Sequence, residues 1–171
     1  MRRLEKLRTG QKMTERLANS PEIAKEKQAA ELQALLAEFK DQRVVVIGGT
    51  CTGKSTLVER LTDAQDMDKL IFPLLTEGEK EYVCQTPWTP EIGETMTRLT
   101  KEHVKVEAGK PVFGTVILGT DRIVYLKISD ELLLERTAAR GVSFEDAKNM
   151  QTHIEEEMVA SGLPVTEFEV G

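Results

Sequence analysis

Cysteine and aromatic residues are scarce in this chain, and long apolar runs are missing. Cys51 and Cys84 are the two cysteines among 171 residues, so neither a disulfide framework nor a cysteine-based zinc site is expected. No stretch approaches the roughly 18 apolar residues of a membrane span, and the basic first segment lacks the apolar core of a secretory signal. These absences predict a cytoplasmic protein that does not contact a membrane.

Charge is distributed unevenly along the chain. Residues 1–40 contain nine Lys/Arg and six Asp/Glu, whereas residues 41–171 contain 14 and 23. An acidic body disfavours nonspecific binding to nucleic acid, because neutralising phosphates requires a basic face. The length, with 40% hydrophobic and 30% charged residues, indicates one folded domain plus an extension. We therefore predict a helical N-terminal extension over residues 1–40 and one domain over residues 41–171.

One amphipathic helix is predicted over residues 22–40. Ser20 is placed as its N-cap and Pro21 as its first helical residue. Apolar residues then recur at helical spacing, namely Leu32, Leu35, Leu36 and Phe39. Three roles stay open for this helix: packing on the domain, pairing with a second copy in a homodimer, or docking a partner protein.

The remainder alternates between strand and helix patterns. Strands are predicted at residues 43–47, 69–75, 111–118, 122–128 and 165–170. Helices are predicted at residues 54–61, 90–101, 130–140 and 143–160. This alternation indicates an α/β fold with a mostly parallel sheet.

A glycine-rich motif directly follows the first predicted strand. The letters GGTCTGKS match G-x-x-x-x-G-K-[ST] and stand between a buried strand and a helix, where a phosphate-binding loop belongs. Backbone N–H groups and the helix dipole favour an anion there. Lys54 is expected to reach the β- and γ-phosphates, Ser55 to bind Mg²⁺, and Thr56 to bind the inner phosphate. The predicted nucleotide-binding residues are Gly48, Gly49, Thr50, Cys51, Thr52, Gly53, Lys54, Ser55 and Thr56.

Two arginines share one face of the predicted helix 130–140. Arg136 and Arg140 are four residues apart, and phosphoryl transfer requires cations over the migrating group. Together with Lys54 they are the predicted catalytic residues. The alternative for both arginines is surface pairing with an acidic neighbour, for which the candidates are Glu131, Glu135 and Asp146.

Acidic side chains offer two further candidates. Asp121 follows an apolar strand and is the nearest match to a magnesium-binding acid. It lies slightly farther beyond the apolar residues than such an acid normally does, and a polar turn after the strand explains it equally well. Asp63, Asp66 and Asp68 follow the helix predicted at residues 54–61. One of them is a candidate base that would accept the proton of the acceptor. A solvated acidic turn is the simpler interpretation of these three.

The second half of the chain resembles small P-loop nucleoside and nucleotide kinases. The helix pattern L-x-x-R-x-x-x-R-G at residues 133–141 is similar to the lid of those enzymes, and Phe113-Gly114-Thr115 is similar to the acceptor segment of guanylate kinases. The resemblance implies a P-loop NTPase three-layer sandwich with a five-stranded sheet, ATP as donor, Mg²⁺, and an acceptor held between Leu75 and Thr115. The candidate acceptor residues are Thr76, Trp88, Arg98, Phe113 and Thr115.

One departure from that family concerns charge. Glu77 and Glu79 occupy the stretch in which guanylate kinases carry phosphate-binding arginines, and carboxylates repel an anionic acceptor. The sequence therefore predicts a P-loop kinase that passes the γ-phosphoryl group of ATP to a small acceptor, a nucleoside or nucleotide among the options. The alternative is an ATP- or GTP-binding regulatory or partner-binding module with little or no transferase activity.

Overall fold

The computed structural model describes residues 21–85 and 89–171. Five strands form one sheet: β1 (Val44–Ile47), β2 (Gln65–Asp66), β3 (Val112–Gly114), β4 (Arg122–Ile128) and β5 (Val165–Val170). Seven α-helices accompany them in the described chain: α1 (Pro21–Ala37), α2 (Lys54–Arg60), α3 (Met67–Ile71), α4 (Glu77–Val83), α5 (Pro90–His103), α6 (Asp130–Arg140) and α7 (Phe144–Ser161). A short 3₁₀ helix, Phe72–Leu74, follows α3.

The sheet is parallel throughout, with the strand order β2-β3-β1-β4-β5. The central strand β1 pairs with β3 on one side and with β4 on the other. All four β1 residues are buried, as expected for a parallel strand covered on both faces. The predicted α/β class with a parallel sheet is confirmed.

Alternate strand residues contribute to two separate cores. Val44 and Val46 of β1 belong to a cluster that includes apolar residues of α1, α2 and α6. Val45 and Ile47 belong to a second cluster with residues of α3, α4, α5 and α7. Because strand side chains alternate between faces, the sheet forms the middle of three layers.

The first helix packs onto its own domain. Ala29, Leu32 and Leu36 are buried in the same cluster as Val44 and Leu57. Of the three roles left open for this helix, the structure shows packing on the domain. The division at residue 40 and the homodimer stay predictions, and residues 1–20, including the Ser20 cap, lie outside the described residues.

The stretch from 65 to 83 differs from the prediction. The strand predicted at 69–75 is wrong, because helix α3 and the 3₁₀ helix occupy these residues and the edge strand β2 precedes them. Buried Met67 and Ile71 are four residues apart, which is helical spacing, and the Asp66 side chain caps α3. Helix α4 was not predicted.

The other boundaries agree closely with the sequence patterns. The predicted strands 122–128 and 165–170 and the helix 130–140 match β4, β5 and α6. The strand predicted at 111–118 is shorter, because β3 ends at Gly114. Within the described chain, no helix combines the length and the apolar character that crossing a membrane requires.

The buried face of α1 provides a test of its place in the fold. Leu32→Ala should lower the free energy of unfolding by about 3 kcal/mol, because a fully buried leucine leaves a cavity. Urea denaturation measures this change. Glu31→Ala, on the exposed side of the same helix, should change stability by less than about 0.5 kcal/mol. Equal stability of the two variants would contradict the packing of α1 on the sheet.

Candidate functional site

The strand order opens a crevice beside the carboxyl end of β1. In the strand order, the connection from β1 leads toward the β2 edge of the sheet, whereas the connection from β4 leads toward the β5 edge. Ligands of open α/β sheets bind where neighbouring connections diverge in this way. Residues 48–55, which we call the glycine loop, follow β1 at this point, and α6 follows β4.

The glycine loop turns sharply through two residues with positive φ. Cys51 has φ 66°, and Gly53, the N-cap of α2, has φ 88°. The left-handed conformation at Gly53 is one that side-chain-bearing residues rarely adopt. The Thr52 hydroxyl donates a hydrogen bond to the Gly49 carbonyl at 2.9 Å, which fixes the turn. Turns that combine right- and left-handed residues direct successive N–H groups toward one side, where they bind anions.

Lys54 folds back over the glycine loop. Its Nζ donates hydrogen bonds to the carbonyl oxygens of Gly48 and Gly49, at 2.5 and 2.7 Å. Burial lowers the pKa of Lys54 to about 8, and the charge of Arg140 acts in the same direction, whereas Asp68 and Asp66 oppose it. The ammonium group is therefore held in a position where its charge is poorly compensated.

Arg136 and Arg140 bring two more cations to the same place. The Arg136 Nη1 donates to the Cys51 carbonyl at 3.1 Å, so α6 reaches directly onto the glycine loop. Burial and then the charge of Arg140 lower the pKa of Arg136. Among the described residues, no Asp or Glu side chain forms an ion pair with Lys54, Arg136 or Arg140. The Arg136 Nη2 also donates a hydrogen bond to the Gly171 carbonyl oxygen at 3.5 Å. The alternative for both arginines was an ion pair with Glu131, Glu135 or Asp146, and none of these pairs is formed.

Two aspartates lie at the carboxyl end of β2, on the same sheet edge as the glycine loop. Asp66 caps α3 by accepting a hydrogen bond from the backbone N–H of Asp68 at 3.0 Å. Partial loss of water around its carboxyl and then the charge of Asp66 raise the pKa of Asp68, while Lys54 opposes this rise. Asp63 is an exposed residue that precedes β2. The fold therefore brings Asp66 and Asp68 into electrostatic range of Lys54.

Asp121 has a structural role. Its carboxylate accepts hydrogen bonds from Arg43, at 2.8 Å from the backbone N–H and at 3.0 Å from Nη2. These bonds lower the pKa of Asp121. Because Arg43 precedes β1 and Asp121 precedes β4, the pair lies at the amino edge of the sheet, opposite to the glycine loop. This position does not support the magnesium role considered for Asp121.

Most of the candidate acceptor residues have other partners. Thr76 and Glu79 form a capping box at the start of α4, which also explains one of the two glutamates in this stretch. Arg98 pairs with Glu102 on α5 at 3.2 Å. Phe113 is buried in the core of the α1 face, Thr115 is half-buried, and Trp88 lies outside the described residues. Thr115 is the candidate that stays near the sheet edge.

One contact of the glycine loop was not predicted from the sequence. The Thr50 hydroxyl donates to the sulfur of Met150 on α7 at 3.3 Å. The two residues are 100 positions apart, so no local pattern connects them. The position of α7 depends on packing in both cores, because Ala147 belongs to one cluster and Ile154 to the other.

Neither a protein-family model nor a curated protein matches this chain. Within residues 21–85 and 89–171, no group of three His, Cys, Asp or Glu side chains could hold a metal ion. Mg²⁺ does not require such a group, because it binds through one or two protein oxygens together with substrate phosphates and water. The Ser55 hydroxyl, which is exposed beside Lys54, and the carboxylates of Asp66 and Asp68 are donors of the appropriate type.

The pKa of Lys54 predicts how anion binding depends on pH. A bound anion favours the charged ammonium, so above pH 8 a proton must be taken up before binding. The affinity for inorganic tripolyphosphate should therefore fall about tenfold between pH 7 and pH 9. Titration calorimetry measures this dependence.

Lys54→Arg is the matched control for this pH dependence. The guanidinium stays charged over the whole range, so this variant reports the ionisation of tripolyphosphate alone. The predicted tenfold loss of tripolyphosphate affinity in the wild type is measured relative to the change in this variant. Parallel pH profiles for the two proteins would contradict the lowered pKa of Lys54.

Proposed function

We propose that this chain is a P-loop kinase that transfers the γ-phosphoryl group of ATP to a hydroxyl group of a small-molecule acceptor. The observation that carries the proposal is the convergence of Lys54, Arg136 and Arg140 on the glycine loop without an ion pair to an Asp or Glu side chain. Like charges brought together in this way repel one another, and a polyanion relieves the repulsion. A triphosphate at the G-x-x-x-x-G-K-[ST] loop is the ligand that fits both the charge and the backbone geometry.

Each cation has a distinct part in the proposed transfer. Lys54 leaves the carbonyl oxygens of Gly48 and Gly49 and binds the β- and γ-phosphates. Arg136 and Arg140 stabilise the charge that develops on the migrating phosphoryl group. Ser55 would hold Mg²⁺, which would neutralise phosphate charge when bound.

Asp68 is the proposed base. The acceptor oxygen forms a bond to the γ-phosphorus while the bond from that phosphorus to the bridging oxygen breaks, and ADP leaves. The hydroxyl proton passes to the Asp68 carboxylate. A carboxyl group with a raised pKa holds this proton better than an ordinary aspartate does. Asp66 is less suited to this role, because its carboxylate already caps α3.

A nucleotide-binding module without transferase activity is the second candidate. Two contacts of α1 favour it. Arg60 of α2 pairs with Glu22 at 2.8 Å, and the N–H of Thr62, which follows α2, donates to the Gln33 side chain at 2.9 Å. Because α1 is attached in this way to α2, the helix that follows the glycine loop, its position can respond to nucleotide binding. In that case ATP binds, and ADP release does not depend on any acceptor.

Activity measurements on two variants test the kinase proposal. The protein is incubated with Mg-ATP and a panel of nucleosides, nucleotides and small alcohols, and ADP release is followed together with the mass of the acceptor. Lys54→Ala should abolish transfer and weaken ATP binding, because the charge anchor is lost. Asp68→Asn should lower transfer by 10²- to 10⁴-fold and change ATP affinity less than about threefold.

Asp63→Asn is the control for the aspartate variant. It removes one carboxylate from the same segment at an exposed position, so transfer should be unchanged. If Asp68→Asn transfers phosphate as fast as Asp63→Asn, Asp68 is not the base. If Lys54→Ala retains normal turnover, the proposed mechanism is wrong as a whole.

A further inference from the structure

A cavity of about 480 Å³ opens next to the glycine loop, between α1 and α6. Its floor includes Gly53 and Thr56, and one wall includes Arg136 and Arg140. Residues of α1, among them Ala24 and Gln28, also line it. The volume lies in the range of sites that hold small organic ligands. The cavity is therefore continuous with the place proposed for the triphosphate.

The lining combines apolar surface with a few polar groups. Pro21, Ala24 and Ala139 provide apolar surface, and Arg136 and Arg140 provide flat guanidinium groups. Lys25 and Glu135 add one further charge of each sign. Guanidinium groups stack on aromatic rings and also attract phosphate. The Gln28 side chain offers both a donor and an acceptor of hydrogen bonds. A nucleoside, with its flat base and polar sugar, fits this combination.

Gln28 is anchored at the boundary between α1 and the sheet. Its Nε2 donates to the carbonyl oxygen of Glu169 on β5 at 3.4 Å, and its side chain is half-buried. A second cavity beside α1, of about 210 Å³, is lined by Gln42, Val44 and Pro111. These residues lie at the amino edge of the sheet, so that cavity is remote from the glycine loop.

We infer that α1 forms one wall of the nucleoside-binding site, and that Gln28 contacts the base or the ribose of the bound nucleotide. This inference rests on the proposed binding of a nucleoside triphosphate at the glycine loop. It assigns to α1 a direct contact with the ligand, in addition to its packing on the sheet. The phosphates bind to the glycine loop, and the nucleoside lies between α1 and α6.

Comparison of ATP with inorganic tripolyphosphate separates the two parts of the site. Tripolyphosphate occupies the phosphate position and lacks the nucleoside. Ala24→Phe places a ring in the cavity and should weaken ATP binding at least tenfold, with tripolyphosphate affinity changed less than twofold. Gln28→Ala should weaken ATP binding by a smaller factor, also without an effect on tripolyphosphate. Titration calorimetry on the full chain measures both ligands.

Ala30→Phe is the matched control, because Ala30 is exposed on α1 and does not line the cavity. It should bind both ligands as the wild type does. Thermal unfolding of each variant checks its fold, and Gln28→Ala carries the test if Ala24→Phe does not fold.

Two results would overturn the inference, and only the second would also contradict the proposed function. If the wild type binds ATP and tripolyphosphate but Ala24→Phe and Gln28→Ala bind ATP normally, α1 does not contact the nucleoside, and the proposed function is unaffected. If the wild type binds neither ligand, the proposed function fails and the inference fails with it.

Discussion

The pairing of β1 with strands on both of its sides determines where every candidate group lies. Because β1 is buried and hydrogen-bonded to β3 and to β4, its carboxyl end has a fixed position in the middle of the sheet edge. The glycine loop leaves β1 there, α6 follows β4 beside it, and Asp66 ends β2 on the other side of β3. Groups that are far apart in the sequence therefore meet because parallel strands end at one edge. A change that weakens β1 would disperse the cations and the aspartates together.

The charges at this edge are arranged in two groups of opposite sign. Lys54, Arg136 and Arg140 surround the glycine loop, whereas Asp66 and Asp68 follow β2 and affect Lys54 through space. No ion pair joins one of the three cations to either aspartate. A site of this kind separates a region suited to a polyanion from a region suited to a proton acceptor. Phosphoryl transfer requires both regions next to each other.

Local patterns predicted those parts of the fold that local interactions determine. Helix α6 was predicted to the residue, and its end was predicted from Gly141, which has the left-handed conformation. In the structure Ser129 caps its start. The glycine loop was predicted from its motif. The stretch 65–83 was mispredicted because its apolar residues suit a strand as well as a helix, and the caps at Asp66 and Thr76 went unrecognised. The contribution of α1 to the cavity depends on tertiary packing, which no local pattern reveals.

The hydrogen bonds from Lys54 to two loop carbonyls have a consequence for selectivity. The ammonium group donates to two carbonyl oxygens, so an anion that binds Lys54 would have to replace these two hydrogen bonds. A halide or another small monovalent ion offers too little electrostatic attraction to make this exchange favourable. An ion with several negative charges also engages both arginines, so its gain exceeds the loss. Under the proposed function, the two carbonyl oxygens compete with a monovalent anion for the lysine, and the site favours a polyanion.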